Sequence, residues 1–83
     1  MDFMLEEELL DLMTFCLQNP DSGEVEQKKQ RISEIGKELY ADGGVDALEN
    51  FFFAIENRIK EEINQDPSLF KSLWNGLDNN WKF

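Results

Sequence analysis

Apolar residues recur along this chain at intervals of three and four, the period of helices, and nowhere in the strict alternation of a strand. Clusters of turn-forming residues interrupt the pattern three times, at Asn19-Pro20-Asp21-Ser22-Gly23, at Asp42-Gly43-Gly44 and at Asp66-Pro67. The intervals between them predict helices over roughly 2–18, 24–41 and 45–65, then a short helix from 67 that Gly76 ends. Asp66 is placed to cap that last helix, with Pro67 in its first turn. Gly43 is placed as the left-handed cap of the second. The expected fold class is all-α: a small bundle of three main helices plus a short C-terminal helix, with 1–83 as one domain. The connection at Gly43-Gly44 is too short for anything but an antiparallel pair.

The three stripes differ in width. On the first helix Leu5, Leu9, Leu12, Met13 and Cys16 lie within about 60° of Leu9, and Leu10 and Leu17 extend one flank while Met4 and Phe15 extend the other. Only Glu7, Asp11, Thr14 and Gln18 leave a polar strip, so this helix is apolar around most of its girth. The second helix has a narrow stripe of Val25, Ile32, Ile35 and Leu39, with Gly36 inside it. Glycine there costs about 1 kcal/mol relative to alanine, and a close approach by another helix would explain its use. On the third helix Val45, Leu48, Phe52, Ile55, Ile59 and Ile63 share a sector about 80° wide. Phe53 falls outside it, among Glu49, Glu56, Asn57 and Lys60, because three consecutive phenylalanines cannot share one face of a helix. The tail carries Leu69, Phe70, Leu73 and Trp74, then Trp81 and Phe83. So much apolar area predicts that Trp81 docks on the helices; Phe53 is then either covered by Trp81 or Phe83 or left exposed as an anchor in a recognition patch.

Charge changes this picture at one end. The chain of 83 residues has a net charge of -10, and residues 1–27 hold Asp2, Glu6, Glu7, Glu8, Asp11, Asp21, Glu24 and Glu26 with no lysine or arginine. That segment carries -8, whereas residues 28–83, with eight basic and ten acidic groups, carry -2. A one-sign field of this kind repels nucleic acid and anionic membrane and attracts basic surfaces, so neither nucleic acid nor membrane is expected as a direct partner. No apolar run approaches the ~18 residues of a membrane span, and no basic segment leads into one, so a cytoplasmic location is expected.

Candidate chemistry is sparse. Cys16 is the single cysteine and lies in the apolar stripe, where it reads as a small buried hydrophobe; it excludes an internal disulfide. With no histidine there is no Ser–His or Cys–His pair, and Gly43-Gly44 lacks the Lys and Ser/Thr of a phosphate loop. Glu7 with Asp11, and Glu34 with Glu38, have the spacing that puts two oxygen ligands on one helix face, as a carboxylate-metal hydrolase would need. Solvated surface charge explains them as well. Glu34 and Glu38 can also pair locally with Arg31 and Lys37. Lys28, Lys29 and Arg31 are the one basic cluster, and acidic residues flank it.

From Ile35 onward the order of motifs resembles a family of small, uncharacterised bacterial helical proteins: Ile35-Gly36, Leu39, Gly43-Gly44, then Trp74, Gly76-Leu77 and Trp81. The chain departs from that pattern in having Leu48 where a methionine is usual, and in placing the last tryptophan one residue further on. The resemblance covers about the last 50 residues and leaves the first helix out. It implies that 35–81 forms one unit, a hairpin with a tryptophan-bearing tail folded over it, and brings no activity, substrate or cofactor.

These readings favour a non-catalytic interaction or regulatory module that meets a protein partner and requires no cofactor or metal. A homodimer through the first helix is one form of it. Its expected contact residues are Met4, Glu7, Leu10, Asp11, Phe15 and Leu17 on that helix, and Phe53 on the third. An acidic mimic of nucleic acid, inhibiting a basic nucleic-acid-handling protein, is the alternative from a different class, and a carboxylate-metal hydrolase a third.

Overall fold

Every regular element that the described residues form is helical, as the apolar period requires. The computed structural model describes residues 3–83; Asp2, placed above in the acidic segment and at the start of the first helix, lies outside them. Helix α1 spans Phe3–Gln18 and carries Glu6 in its first turn, where a carboxylate meets the positive end of the helix dipole. Asn19 closes it, donating from its backbone N (2.9 Å) and its Nδ2 (3.2 Å) to the Phe15 carbonyl. Ser22 then starts the next helix. Its Oγ accepts from the Glu24 amide at 3.2 Å and its carbonyl accepts from Val25, which supplies the cap that Glu24's own side chain does not.

Helix α2, Val25–Ile63, is two helices run together across Gly44. A straight helix of 39 residues would be about 58 Å long at ~1.5 Å per residue, yet the longest extent of the molecule is 31 Å. The chain therefore doubles back, and the second and third expected helices are the two arms of this hairpin. The reversal rests on Gly44 (φ 68°, ψ -158°), a conformation almost confined to glycine, and not on Gly43, which was expected to carry it. The second arm ends at Asn64, whose left-handed φ of 55° is one that asparagine tolerates.

The short C-terminal helix forms as a 3-10 helix, Ser68–Trp74, with Phe70 N bonding Pro67 O at 3.0 Å. Pro67 takes the N-cap position that Asp66 was expected to hold, and Asp66 just before it accepts through Oδ1 from Ser68 N (2.9 Å) and Ser68 Oγ (2.6 Å). Gly76, at φ 93°, turns the chain away. An Asx turn at Asp78 follows, with Asn80 N on Oδ1 at 2.8 Å and Trp81 N on the Asp78 carbonyl at 3.1 Å. Tyr40 Oη donates to Asp78 Oδ2 at 2.8 Å and ties this tail back to the first arm.

One hydrophobic cluster draws on α1, both arms and the tail; Leu9, Met13, Ile32, Ile35, Leu48, Ile55, Ile59 and Trp74 are fully enclosed. Helix α1 lies across both arms: Glu8 bonds Arg31 on the first and Glu7 bonds Arg58 on the second. Its apolar girth is wide because two arms cover it. Gly36 admits not a neighbouring helix but the indole of Trp74, whose Nε1 donates to Ile32 O at 2.9 Å. Among the described residues, every buried side-chain nitrogen and oxygen has a partner.

Candidate interaction surface

The residues expected to meet a partner separate into two groups. On α1, Leu10 is withdrawn: it is 6% exposed and belongs to the core, because the second covering arm reaches the flank that a single partner helix would leave open. Phe15 and Leu17 are half-buried, Phe15 with the Lys28 ammonium 5.2 Å from its ring centre. Glu7 is engaged by Arg58 at 2.9 Å, Asp11 is exposed and Met4 is 80% exposed. The acidic field of α1 is thereby partly neutralised. Glu8 holds the Arg31 guanidinium in a fork of 2.7 and 3.0 Å, and this bond keeps its carboxyl below the usual 4.5. Arg58 also approaches Glu6 at 4.0 Å and Glu62 at 3.9 Å.

Phe53 is different. Of the two expectations for it, cover by the tail and exposure as an anchor, it is exposure that holds: Phe53 stays 65% exposed, because the tail is anchored one residue away, on Phe52. Trp81 is 4% exposed, meets Phe52 edge-on at 6.4 Å and Trp74 at 5.5 Å, and donates Nε1 to Lys71 O at 2.7 Å. Phe83 packs on Trp81 at 5.0 Å and remains 62% exposed. The side-chain amide of Asn75 fixes Phe83 there, donating to Phe83 O at 2.8 Å and accepting from Phe83 N at 3.0 Å.

Between these walls lies a groove of about 180 Å³ lined by Glu49, Phe52, Phe53, Glu56, Lys71, Trp81 and Phe83. The first four sit at i, i+3, i+4 and i+7 of the second arm, so the helix itself aligns them on one face. Lys71 reaches over the other wall, its Nζ 4.8 Å from the Phe83 ring centre and 5.5 Å from that of Phe52. Glu56 is half-buried beside Ser68 (3.4 Å) and Lys60 (3.8 Å); Glu49 is exposed and joins no ion pair among the described residues. Sequence periodicity had marked Phe53 with Glu49 and Glu56. Lys71 lies in the short C-terminal helix but off its apolar side, and Phe83 belongs to the segment beyond it, which has no period to read.

Elsewhere the chemistry is that of structure. Cys16 is buried, which pushes its thiol above the usual 9.0 and away from the reactive thiolate. Glu34 and Glu38 both face Arg31, at 3.6 and 3.7 Å. Among the described residues no three Cys, Asp or Glu side chains converge as a metal ion would require, and no helix is long and apolar enough to cross a membrane. No protein-family model, no curated protein and no solved structure matches the chain.

Proposed function

We propose that this chain, a small helical bundle, is a non-catalytic interaction module whose recognition surface is the groove between Phe53 and Phe83. The carrying observation is a pair of exposed phenylalanines, 65% and 62% accessible, held on either side of one groove by a helix and by an amide clamp. Aromatics so placed are favoured anchors in protein interfaces, and a wall already fixed in place loses little entropy on binding. At about 180 Å³ the groove is smaller than the ~300–1,000 Å³ of ordinary small-molecule sites, which supports the seating of a side chain over the turnover of a substrate. The homodimer through α1 has less support, since Leu10, Phe15 and Leu17 serve the monomer's own packing. The nucleic-acid mimic also has less, since Glu6, Glu7 and Glu8 are engaged by arginines. A cytoplasmic location belongs to the same reading, in keeping with a single buried thiol.

A photo-crosslinking amino acid placed at Phe53 or Phe83, with Lys37 as the control position, tests the proposal in the native host. Discrete protein adducts from both groove positions and none from Lys37 are expected. Identical background from all three would overturn it.

A further inference from the structure

We infer that the occupant of this groove is a cationic side chain, the lysine or arginine of a basic segment of the partner protein, seated between Phe53 and Phe83 with Glu49 and Glu56 at its rim. The inference rests on the reading of the groove as an interaction surface and adds the chemistry of what enters it.

Three observations converge. The rings that form the groove already receive an ammonium, because Lys71 Nζ stands within the ~6 Å at which a ring face attracts a cation, both for Phe83 and for Phe52. A second cation is invited by the surrounding charge. Two carboxylates line the groove beside Lys71; Glu56 also has Lys60 at 3.8 Å, while Glu49 joins no ion pair among the described residues, in a chain of net charge -10. An anion would meet the negative faces of the rings, two carboxylates and the field of the whole molecule. The groove, at about 180 Å³, also has room for one long side chain. The source is a polypeptide and not a free ammonium ion, because Phe53 and Phe83 extend beyond the groove as exposed apolar shoulders. A small cation would leave them in water, whereas a peptide segment covers them on either side of the inserted residue.

Lys71 gives the inference a distinctive signature. It shares the groove with the incoming cation and repels it, so its removal should strengthen binding, the opposite of what loss of a contact residue does.

The test titrates the full chain with acetylated, amidated pentapeptides of sequence Ala-Leu-X-Leu-Ala, where X is lysine, norleucine or glutamate, and with tetramethylammonium. The readouts are the amide shifts of Phe53, Lys71 and Phe83 and the tryptophan fluorescence. The lysine peptide should bind about three- to tenfold more tightly than the norleucine one and more tightly than tetramethylammonium, and the glutamate peptide most weakly. Lys71→Met should tighten lysine-peptide binding about threefold or more. Phe83→Ala and Glu49→Gln should each weaken it by a similar factor with the far-ultraviolet spectrum unchanged, as both positions are exposed. Equal binding of the lysine and norleucine peptides would overturn the inference while leaving the interaction surface standing. Preference for glutamate, weaker binding by Lys71→Met, tighter binding of tetramethylammonium, or no binding by any probe would overturn it too. The crosslinking experiment above judges the underlying reading separately.

Discussion

Gly36→Ala is the substitution on which helix propensity and packing disagree most sharply. In an exposed helix interior it would stabilise by about 1 kcal/mol. Here the added Cβ would stand 2.3 Å from Nε1, 2.4 Å from Cδ1 and 2.8 Å from Cε2 of Trp74. Ordinary contact begins near 3.4 Å, so the indole must retreat by about 1 Å. It is fully enclosed, and retreat draws Nε1 off the Ile32 carbonyl that it reaches at 2.9 Å. Overpacking of this kind costs about 1–3 kcal/mol. A buried indole N–H left without its acceptor costs about 1–3 kcal/mol more. After the propensity gain, the variant should be less stable by about 3 kcal/mol, a large part of the ~5 kcal/mol expected of a small domain. At about 4–8 °C per kcal/mol the melting temperature falls by roughly 12–24 °C. Thermal unfolding followed by circular dichroism measures this, and tryptophan fluorescence reports the displaced ring. In a Trp74→Phe background, which lacks the five-membered ring that the Cβ meets, the same substitution should cost at least ~1 kcal/mol less. A Gly36→Ala variant that melts higher than the parent, or an equal cost in both backgrounds, would refute the packing of Trp74 on Gly36.

Two further outcomes follow from titration. The Arg31 bond holds the Glu8 carboxyl below its usual 4.5, so this group's stabilisation is present above pH 4.5 and is lost as pH falls through the lower folded-state value. Glu8→Gln should therefore lower stability at pH 7 by about 0.5–1 kcal/mol, modest because the pair is partly exposed, and the difference should shrink as pH falls below 4.5; urea unfolding between pH 7 and the acid range measures it, and a gap that does not change with pH would contradict the assignment. Tyr40 is the only tyrosine, and its hydrogen bond to Asp78, then burial and the carboxylate's charge, push its phenol above the usual 10.0. Absorbance at 295 nm should show ionisation beyond pH 10, moving back toward that value in Asp78→Asn; an ordinary midpoint in the parent would mean that the tail is not tied to the first arm.

What the sequence revealed follows from what a helical period can encode. It located α1, both arms and all three breaks, because each depends on residues near in the chain. It placed Phe53 off the core stripe for the same reason. It chose Gly43 where the chain reverses at Gly44, since adjacent glycines satisfy the same local pattern and the direction of the returning arm makes the choice. A helical wheel also showed how wide the stripe of α1 is, but not how many neighbours would cover it. Leu10 passed from surface to core because α1 lies across two arms at once. The groove was half legible. Its helical wall is periodic, but its other wall comes from a 3-10 helix and an irregular tail whose positions are set by Trp74 on Gly36 and Asn75 on Phe83, contacts that span 38 and 8 residues of sequence.

The exposure of Phe53 and Phe83 is the point at which packing alone stops explaining the chain. Burying a phenylalanine stabilises by about 1.5–3 kcal/mol, a gain that a thin core could use. The tail passes close enough to offer it: Trp81 is enclosed on Phe52 and Trp74, and Phe83 touches Trp81. Yet the Asn75 side chain holds the Phe83 backbone by two hydrogen bonds and leaves the ring in water opposite Phe53, with an ammonium already laid across it. A device that fixes an aromatic ring outside the core adds nothing to the burial of that ring. It does keep one wall of a groove in place. That wall is the end of a continuous stack, Trp74 to Trp81 to Phe83, whose inner end needs the missing side chain of Gly36. Gly36→Ala should therefore weaken peptide binding at the groove as well as lower the melting point, although Gly36 itself does not line that groove.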